Sequence, residues 1–186
     1  MKLIICHIVF VLTFLSVHGQ GNSKIKKYKI STCTSITTKI ENGETIEKKK
    51  IETFDAKGNT LEESEFINGA LEKKETFKYN SNNDVIEEVI YNKDGSIKRK
   101  ITKKYNVEGK VIEEVLYNGA NKVVRKEVSK YNGFNEKLEE IIYDGSGEID
   151  ERHVYTYNNK SLKTERLTYD KKDRLIMKKV YTYTFK

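Results

Sequence analysis

The sequence predicts an all-β chain, an antiparallel meander of about twelve strands built from 26-residue two-strand repeats. Three observations predict it. Aromatics recur at Phe54, Phe66, Tyr79, Tyr91, Tyr105, Tyr117, Tyr131, Tyr143, Tyr157, Tyr169 and Tyr183, in steps of 12 and 14 broken by a single 13 after Phe66. Most of them open a five-residue motif of aromatic, Asn or Asp, two variable residues, and then Gly, Asn or Asp. The stretches between these motifs run 7 to 10 residues and are rich in Ile, Val, Thr and Tyr, which suit a pleated, half-buried surface. The 186 residues include no proline, in keeping with a chain whose N–H groups are needed in sheet ladders.

Taken in order, residues 1–19 read as an address rather than structure. Met1-Lys2 is a short basic start, Leu3 to Val17 is almost wholly apolar, and Val17-His18-Gly19 offers small residues before a cut at Gly19/Gln20. The apolar run of about 15 residues is short of the ~20 that a spanning helix needs, so the remaining chain is expected to have no transmembrane segment and to be secreted or periplasmic. Residues 20–186 then form a single repeat domain. Tyr28 lies 26 before Phe54, which extends the register back to a first strand there; no helix is expected.

Eleven turns follow, from Glu41-Asn42-Gly43 to the motif at Tyr169–Asp173. The motif is clearest at Phe54–Gly58, Tyr91–Gly95, Tyr105–Gly109 and Tyr143–Gly147, with variants starting at Tyr79, Tyr117, Tyr131, Tyr157 and Tyr169. Its fifth residue must tolerate left-handed backbone, as the last residue of a bulged type I turn does. Gly, Asn and Asp meet that demand; Ser161 is the one poor fit. Phe66-Ile67-Asn68-Gly69 is one residue shorter and carries an Asn-Gly hairpin signal.

Charge alternates by strand. Val85–Tyr91, Lys110–Tyr117 and Glu136–Tyr143 are acidic, whereas Ile97–Lys104 and Val123–Lys126 are basic. Pairing Asn92 with Ser96 would set Glu88 opposite Lys100 and, across the next turn, Lys103 opposite Glu113. Such pairs oppose register slips, which would bring like charges together. Adjacent Glu87 and Glu88 point to opposite faces, so both faces carry charge, which an outer-membrane barrel's lipid face does not allow. With 37% apolar and 34% charged residues and a mean hydropathy of -0.70, the core is thin. An open twisted or curled sheet is expected, with a closed soluble barrel as the alternative.

At the motifs Tyr91–Gly95, Tyr105–Gly109, Tyr143–Gly147 and Tyr169–Leu175 the chain resembles the YD (RHS) repeat of bacterial secreted proteins, over roughly Tyr28 to Tyr183. That resemblance implies extended β-sheets, and in some members carbohydrate binding. The chain departs from the large members in having too few repeats to close a shell, no C-terminal toxin region and no glycine-rich self-cleavage segment.

Catalytic chemistry finds little support. After residue 19 one cysteine, Cys33, and one histidine, His153, remain, so an internal disulfide is impossible and a His/Cys metal site lacks ligands. The two lie about four double repeats apart and are read as a small strand residue and a solvent-facing strand residue. Glu87, Glu113 and Glu139 fall on every second strand of one face, roughly 10 Å apart, beyond the ~6.5–9.5 Å of inverting glycosidases. Arg99 and Arg125 between them make a salt-bridged ladder the simpler reading. Lysine in turns such as Asn92–Gly95 argues against calcium.

A net charge of +7 and a pI near 9.1 raise nucleic acid, but interleaved acidic strands dilute any patch. Attraction to an anionic polysaccharide or a cell-surface protein fits better. The expected function is therefore a non-catalytic binding module without cofactors. Its candidate ligand-binding residues are the tyrosine edge (Tyr79, Tyr105, Tyr131 and Tyr157) and the basic strip (Lys98, Arg99 and Lys100, continued by Lys103 and Lys104). The alternative is a structural or assembly element that pairs through exposed edge strands.

Overall fold

A computed structural model describes residues 21–186; the expected leader, residues 1–19, lies outside them. A short helix, α1 (Gly21–Tyr28), precedes twelve strands. These are β1 (Thr32–Glu41), β2 (Glu44–Phe54), β3 (Thr60–Ile67), β4 (Ala70–Tyr79), β5 (Val85–Tyr91) and β6 (Ile97–Tyr105), followed by β7 (Val111–Asn118), β8 (Val123–Tyr131), β9 (Lys137–Asp144), β10 (Ile149–Tyr157), β11 (Lys163–Asp170) and β12 (Leu175–Val180). They form one sheet in strict sequence order, every neighbouring pair antiparallel. The sheet is not closed by hydrogen bonds, so the open meander is the form adopted and β1 and β12 are its edges. Eleven strand spacings of ~4.8 Å make it roughly 50 Å across.

The turns explain the period. In the motif turns the N–H of the second residue donates to the carbonyl of the sixth, and that of the fifth back to the carbonyl of the second, as in Asn118 to Lys122 at 2.9 Å and Asn121 to Asn118 at 3.0 Å. The Asn or Asp side chain is a third clamp: Asn118 Oδ1 accepts from the N–H groups of Ala120 and Lys122. Asp55, Asn80, Asn132, Asp144, Asn158 and Asp170 bond likewise. This Asx turn is the reason for the residue type at that position. The fifth residue takes positive φ in all nine motifs, including Ser161 at 59°. At the two short turns Asn42-Gly43 and Asn68-Gly69 both residues have positive φ, the type I′ geometry that matches strand twist.

Each motif turn also inserts a bulge beside its aromatic. Tyr91 pairs with Ile97 and Ile90 with Arg99, which leaves Lys98 unopposed. The bulge corrects the expected pairing by one residue: Glu88 faces Ile101, Lys103 faces Glu114, and Lys104 faces Glu113. It also corrects the ladder. The glutamates spaced by 26 are met by Lys78 (2.7 Å from Glu87), Lys104 (2.8 Å from Glu113) and Lys130 (2.6 Å from Glu139). Arg125 instead pairs with Glu127 on its own strand, and Arg99 bridges no carboxylate among the described residues. Solvent screens exposed pairs of this kind, so they guide register more than they stabilise the sheet.

The core is as thin as expected. Val89, Val115, Ile142 and Tyr155 are the buried apolar side chains among the described residues. They lie on both faces, because Val115 shares a face with its partners Thr102 and Lys126 while Ile142 shares the other with Glu127. Burial in this single layer comes from long cross-strand neighbours lying alongside.

Helix α1 corrects the expectation of none and removes Tyr28 from the strand register. Its last turn carries Lys26 and Lys27, favourable beside the negative end of the helix dipole. Lys29, at φ 51°, ends it: Ile30 N–H reaches the Ile25 carbonyl and Lys29 N–H that of Lys26, a Schellman stop. β1 begins only at Thr32.

Candidate functional site

The tyrosine edge is a main-chain device. Because successive turns alternate edges, Tyr79, Tyr105, Tyr131, Tyr157 and Tyr183 line up, and each hydroxyl donates to a backbone carbonyl about one repeat earlier. The acceptors are Thr60 (2.8 Å), Val85 (2.7 Å), Val111 (3.0 Å), Lys137 (3.0 Å) and Lys163 (2.7 Å). Each acceptor is the first residue of an odd-numbered strand, from β3 to β11, so every bond ties one repeat to the one before. Partial burial raises the hydroxyl pKa of Tyr79, Tyr105 and Tyr157 above the usual range, with nearby carboxylates adding to it. What these residues can offer a ligand is the ring and the adjoining turns. Around Tyr131 those turns leave an open depression of about 540 Å³, lined also by Asn106, Ile112, Lys130, Asn132 and Asn135.

The basic strip is divided. Side chains alternate, so Lys100 and Lys104 share the face of Glu113, while Arg99 and Lys103 share the opposite one. Lys100 lies 4.4 Å from the Tyr117 ring centre and 2.5 Å from Asn121 Oδ1, so it belongs to the second turn edge. There a cation faces an aromatic across the strand at intervals of 26: Lys74 and Tyr91, Lys100 and Tyr117, Lys126 and Tyr143, Arg152 and Tyr169. Arg152 sits 4.3 Å from the Tyr169 ring centre and hydrogen-bonds Asp173, as Lys100 does Asn121. Lys98 and Arg99 stay exposed at the bulge.

A polar cluster across β9, β10 and β11 escaped the sequence reading. His153 is not solvent-facing; it is 3% exposed. Its Nδ1 lies 3.1 Å from Thr168 Oγ1, its Nε2 3.5 Å from Glu151, and Arg166 Nη2 is 3.3 and 3.2 Å from the two ring nitrogens. Tyr155 packs edge-on to the imidazole and donates to Glu140 at 3.1 Å, which also receives Lys137 at 2.5 Å. The cause is the pairing of β10 with both neighbours, which sets His153 between Glu140 and Thr168. Sequence spacing does place position 153 on a sheet face, but nothing in it says that Arg166 and Tyr155 will cover that face.

Electrostatics follow from this packing. Burial, reinforced by the Arg166 charge, lowers the His153 pKa. Burial would raise that of Glu140, but Lys137 and the Tyr155 hydroxyl outweigh it and hold the carboxyl below its usual range. Burial, then the Glu140 charge, pushes the Tyr155 hydroxyl up. His153 is therefore neutral when folded at pH 7. Below the unfolded value of ~6.5 the unfolded chain takes up a proton that the folded one resists, so stability falls as pH drops through that range. Thermal melts at pH 7.5 and 5.5 should show a drop for the wild type and a smaller drop for His153→Gln; equal drops would remove His153 as the cause.

Cys33 is exposed on β1, and nine strand spacings separate it from His153 on β10, roughly 40 Å. Among the described residues no group of three or more His, Cys, Asp and Glu side chains is placed to hold a metal ion, and no helix is long and apolar enough to cross a membrane.

No protein-family model and no curated protein matches the chain. Among solved structures it is similar to a porin-like protein from Bacteroides uniformis, with 13% identity, a TM-score of 0.36, and coverage of 82% of this chain and 57% of that one. TarM of S. aureus gives 18% identity and a TM-score of 0.28 over 86% of this chain and 24% of its own. A Bacteroides fragilis protein of unknown function gives 11% and 0.19 over 83% and 96%. Similarities of this size identify no common fold and transfer no activity.

Proposed function

We propose that the chain is an exported, non-catalytic β-repeat module of YD type that binds a surface carbohydrate beside Tyr131. The observation that supports this is the depression of about 540 Å³, within the ~300–1,000 Å³ of small-molecule sites. It combines an aromatic ring, on which a sugar can stack, with several amide side chains and a lysine. The Tyr131 hydroxyl is already committed to Val111, so the ring is the binding element. The test is a glycan array probed with the wild-type chain, Tyr131→Ala and Tyr79→Ala, at low and moderate salt. Both variants lose the same kind of scaffold bond, but binding should vanish only in Tyr131→Ala and should survive moderate salt. Loss in both variants, or in neither, would refute the site.

A second reading, an assembly element that pairs through its edges, has its own support. β1 and β12 are exposed along their whole lengths, with Ile40 at 78% and Val180 at 63% exposure. Fully exposed edge strands present unpaired N–H and C=O groups to a partner strand.

A further inference from the structure

The outer edge of β12 carries half of a repeated interface. Four times in the sheet an even-numbered strand meets the next odd-numbered one with the same face chemistry. A cation faces an aromatic at Lys74–Tyr91, Lys100–Tyr117, Lys126–Tyr143 and Arg152–Tyr169. Two residues on, Thr76, Thr102, Val128 and Val154 face Val89, Val115, Ile141 and Leu167. Two further, Lys78, Lys104, Lys130 and Thr156 face Glu87, Glu113, Glu139 and Glu165.

β12 continues the first half of this series, with Lys178 26 residues after Arg152 and Val180 26 after Val154. Among the described residues no strand follows to meet them. Three of the four odd strands that fill the equivalent edges read Glu-Glu-apolar-apolar-Tyr, at Glu87–Tyr91, Glu113–Tyr117 and Glu139–Tyr143, and the fourth, β11, reads Glu165-Arg166-Leu167-Thr168-Tyr169. In the same register the tyrosine of such a strand falls opposite Lys178, which also bridges Glu165 at 2.5 Å. Its apolar residues fall opposite Lys179 and Val180, and its first glutamate opposite Thr182, as Glu165 faces Thr156.

We infer that the outer edge of β12 binds an extended strand of the form Glu-Glu-apolar-apolar-Tyr, antiparallel, with the aromatic over Lys178 and an apolar residue opposite Val180. This rests on the edge-pairing reading above and names its partner. The backbone is oriented for it: Tyr181 N–H donates inward to the Thr164 carbonyl at 3.0 Å, so the N–H of Val180 points outward, as alternate residues of a strand do.

The test uses a fluorescein-labelled peptide with the sequence of residues 110–118, Lys-Val-Ile-Glu-Glu-Val-Leu-Tyr-Asn, titrated with the full chain. Anisotropy should report saturable binding, with Kd weakened by at least about tenfold when the peptide's tyrosine is replaced by alanine. Val180→Pro, which removes an outward donor without touching the β11 ladder, should abolish it, and circular dichroism will verify that this variant stays folded. Absence of binding, equal binding of the peptide with alanine in place of its tyrosine, or unchanged binding by Val180→Pro overturns the inference. If the chain self-associates through Val180 while the peptide neither binds nor competes, the edge reading stands and the partner named here is wrong. If neither peptide binding nor assembly depends on Val180, both fail.

Discussion

Replacing Tyr105 by alanine should lower stability by about 2–3 kcal/mol, and replacing it by phenylalanine by about 1 kcal/mol. The half-buried ring covers the junction between two repeats, and its hydroxyl donates to the Val85 carbonyl at 2.7 Å. Phenylalanine keeps the ring but leaves that carbonyl without its donor; alanine loses both. At ~2–4 °C per kcal/mol for a chain of this size, the two variants separate in a thermal melt. In a layer with four buried apolar side chains among its described residues, inter-repeat bonds carry a larger share than in a two-layer domain. Equal stability of wild type and Tyr105→Phe would show that the bond is replaceable by water.

Gly119→Ala should cost about 1–3 kcal/mol, whereas Gly133→Ala should be close to neutral. Both glycines are the third residue of a motif turn, one on each edge of the sheet. A Cβ at Gly119 would lie 2.2 Å from the Ile97 carbonyl oxygen, while at Gly133 it would meet nothing within 4 Å. Neither has positive φ, so intrinsic backbone preference is matched and the difference isolates the clash. Urea denaturation of the pair is the measurement, and equal midpoints would mean that the Ile97 strand start yields to the methyl group.

That contrast marks where sequence reading stopped. Asn or Asp at the second motif position and Gly, Asn or Asp at the fifth are demanded by bonds within six residues, so turns and strand number were legible. Gly119 and Gly133 look alike in sequence, and only the approach of a strand 22 residues earlier distinguishes them. The pairing of Glu88 with Lys100 failed for a similar reason. The bulge at Lys98 shifts the register by one, and its presence depends on how Tyr91 closes against Ile97.

The candidate site divides in the same way. The alignment of Tyr79, Tyr105, Tyr131 and Tyr157 along one edge followed from spacing alone, since the turn period fixes which edge a residue reaches. Their hydroxyl bonds, the depression at Tyr131, and the split of Lys98, Arg99 and Lys100 across two faces did not. His153 is the sharpest case. It reads as an exposed residue on a polar strand, and becomes buried because Arg166 and Tyr155 lie across it.

By itself, then, the sequence determined the class, the order of the strands and their antiparallel pairing, because each follows from short-range turn chemistry repeated at a constant period, while the structure decided that the sheet stays open. The tertiary structure alone decided the register and the burial of His153. It also decided the depression beside Tyr131 and the exposure of β12. Those depend on contacts between residues 13 to 26 positions apart, whose outcome is set by side-chain size and reach across neighbouring strands rather than by local preference.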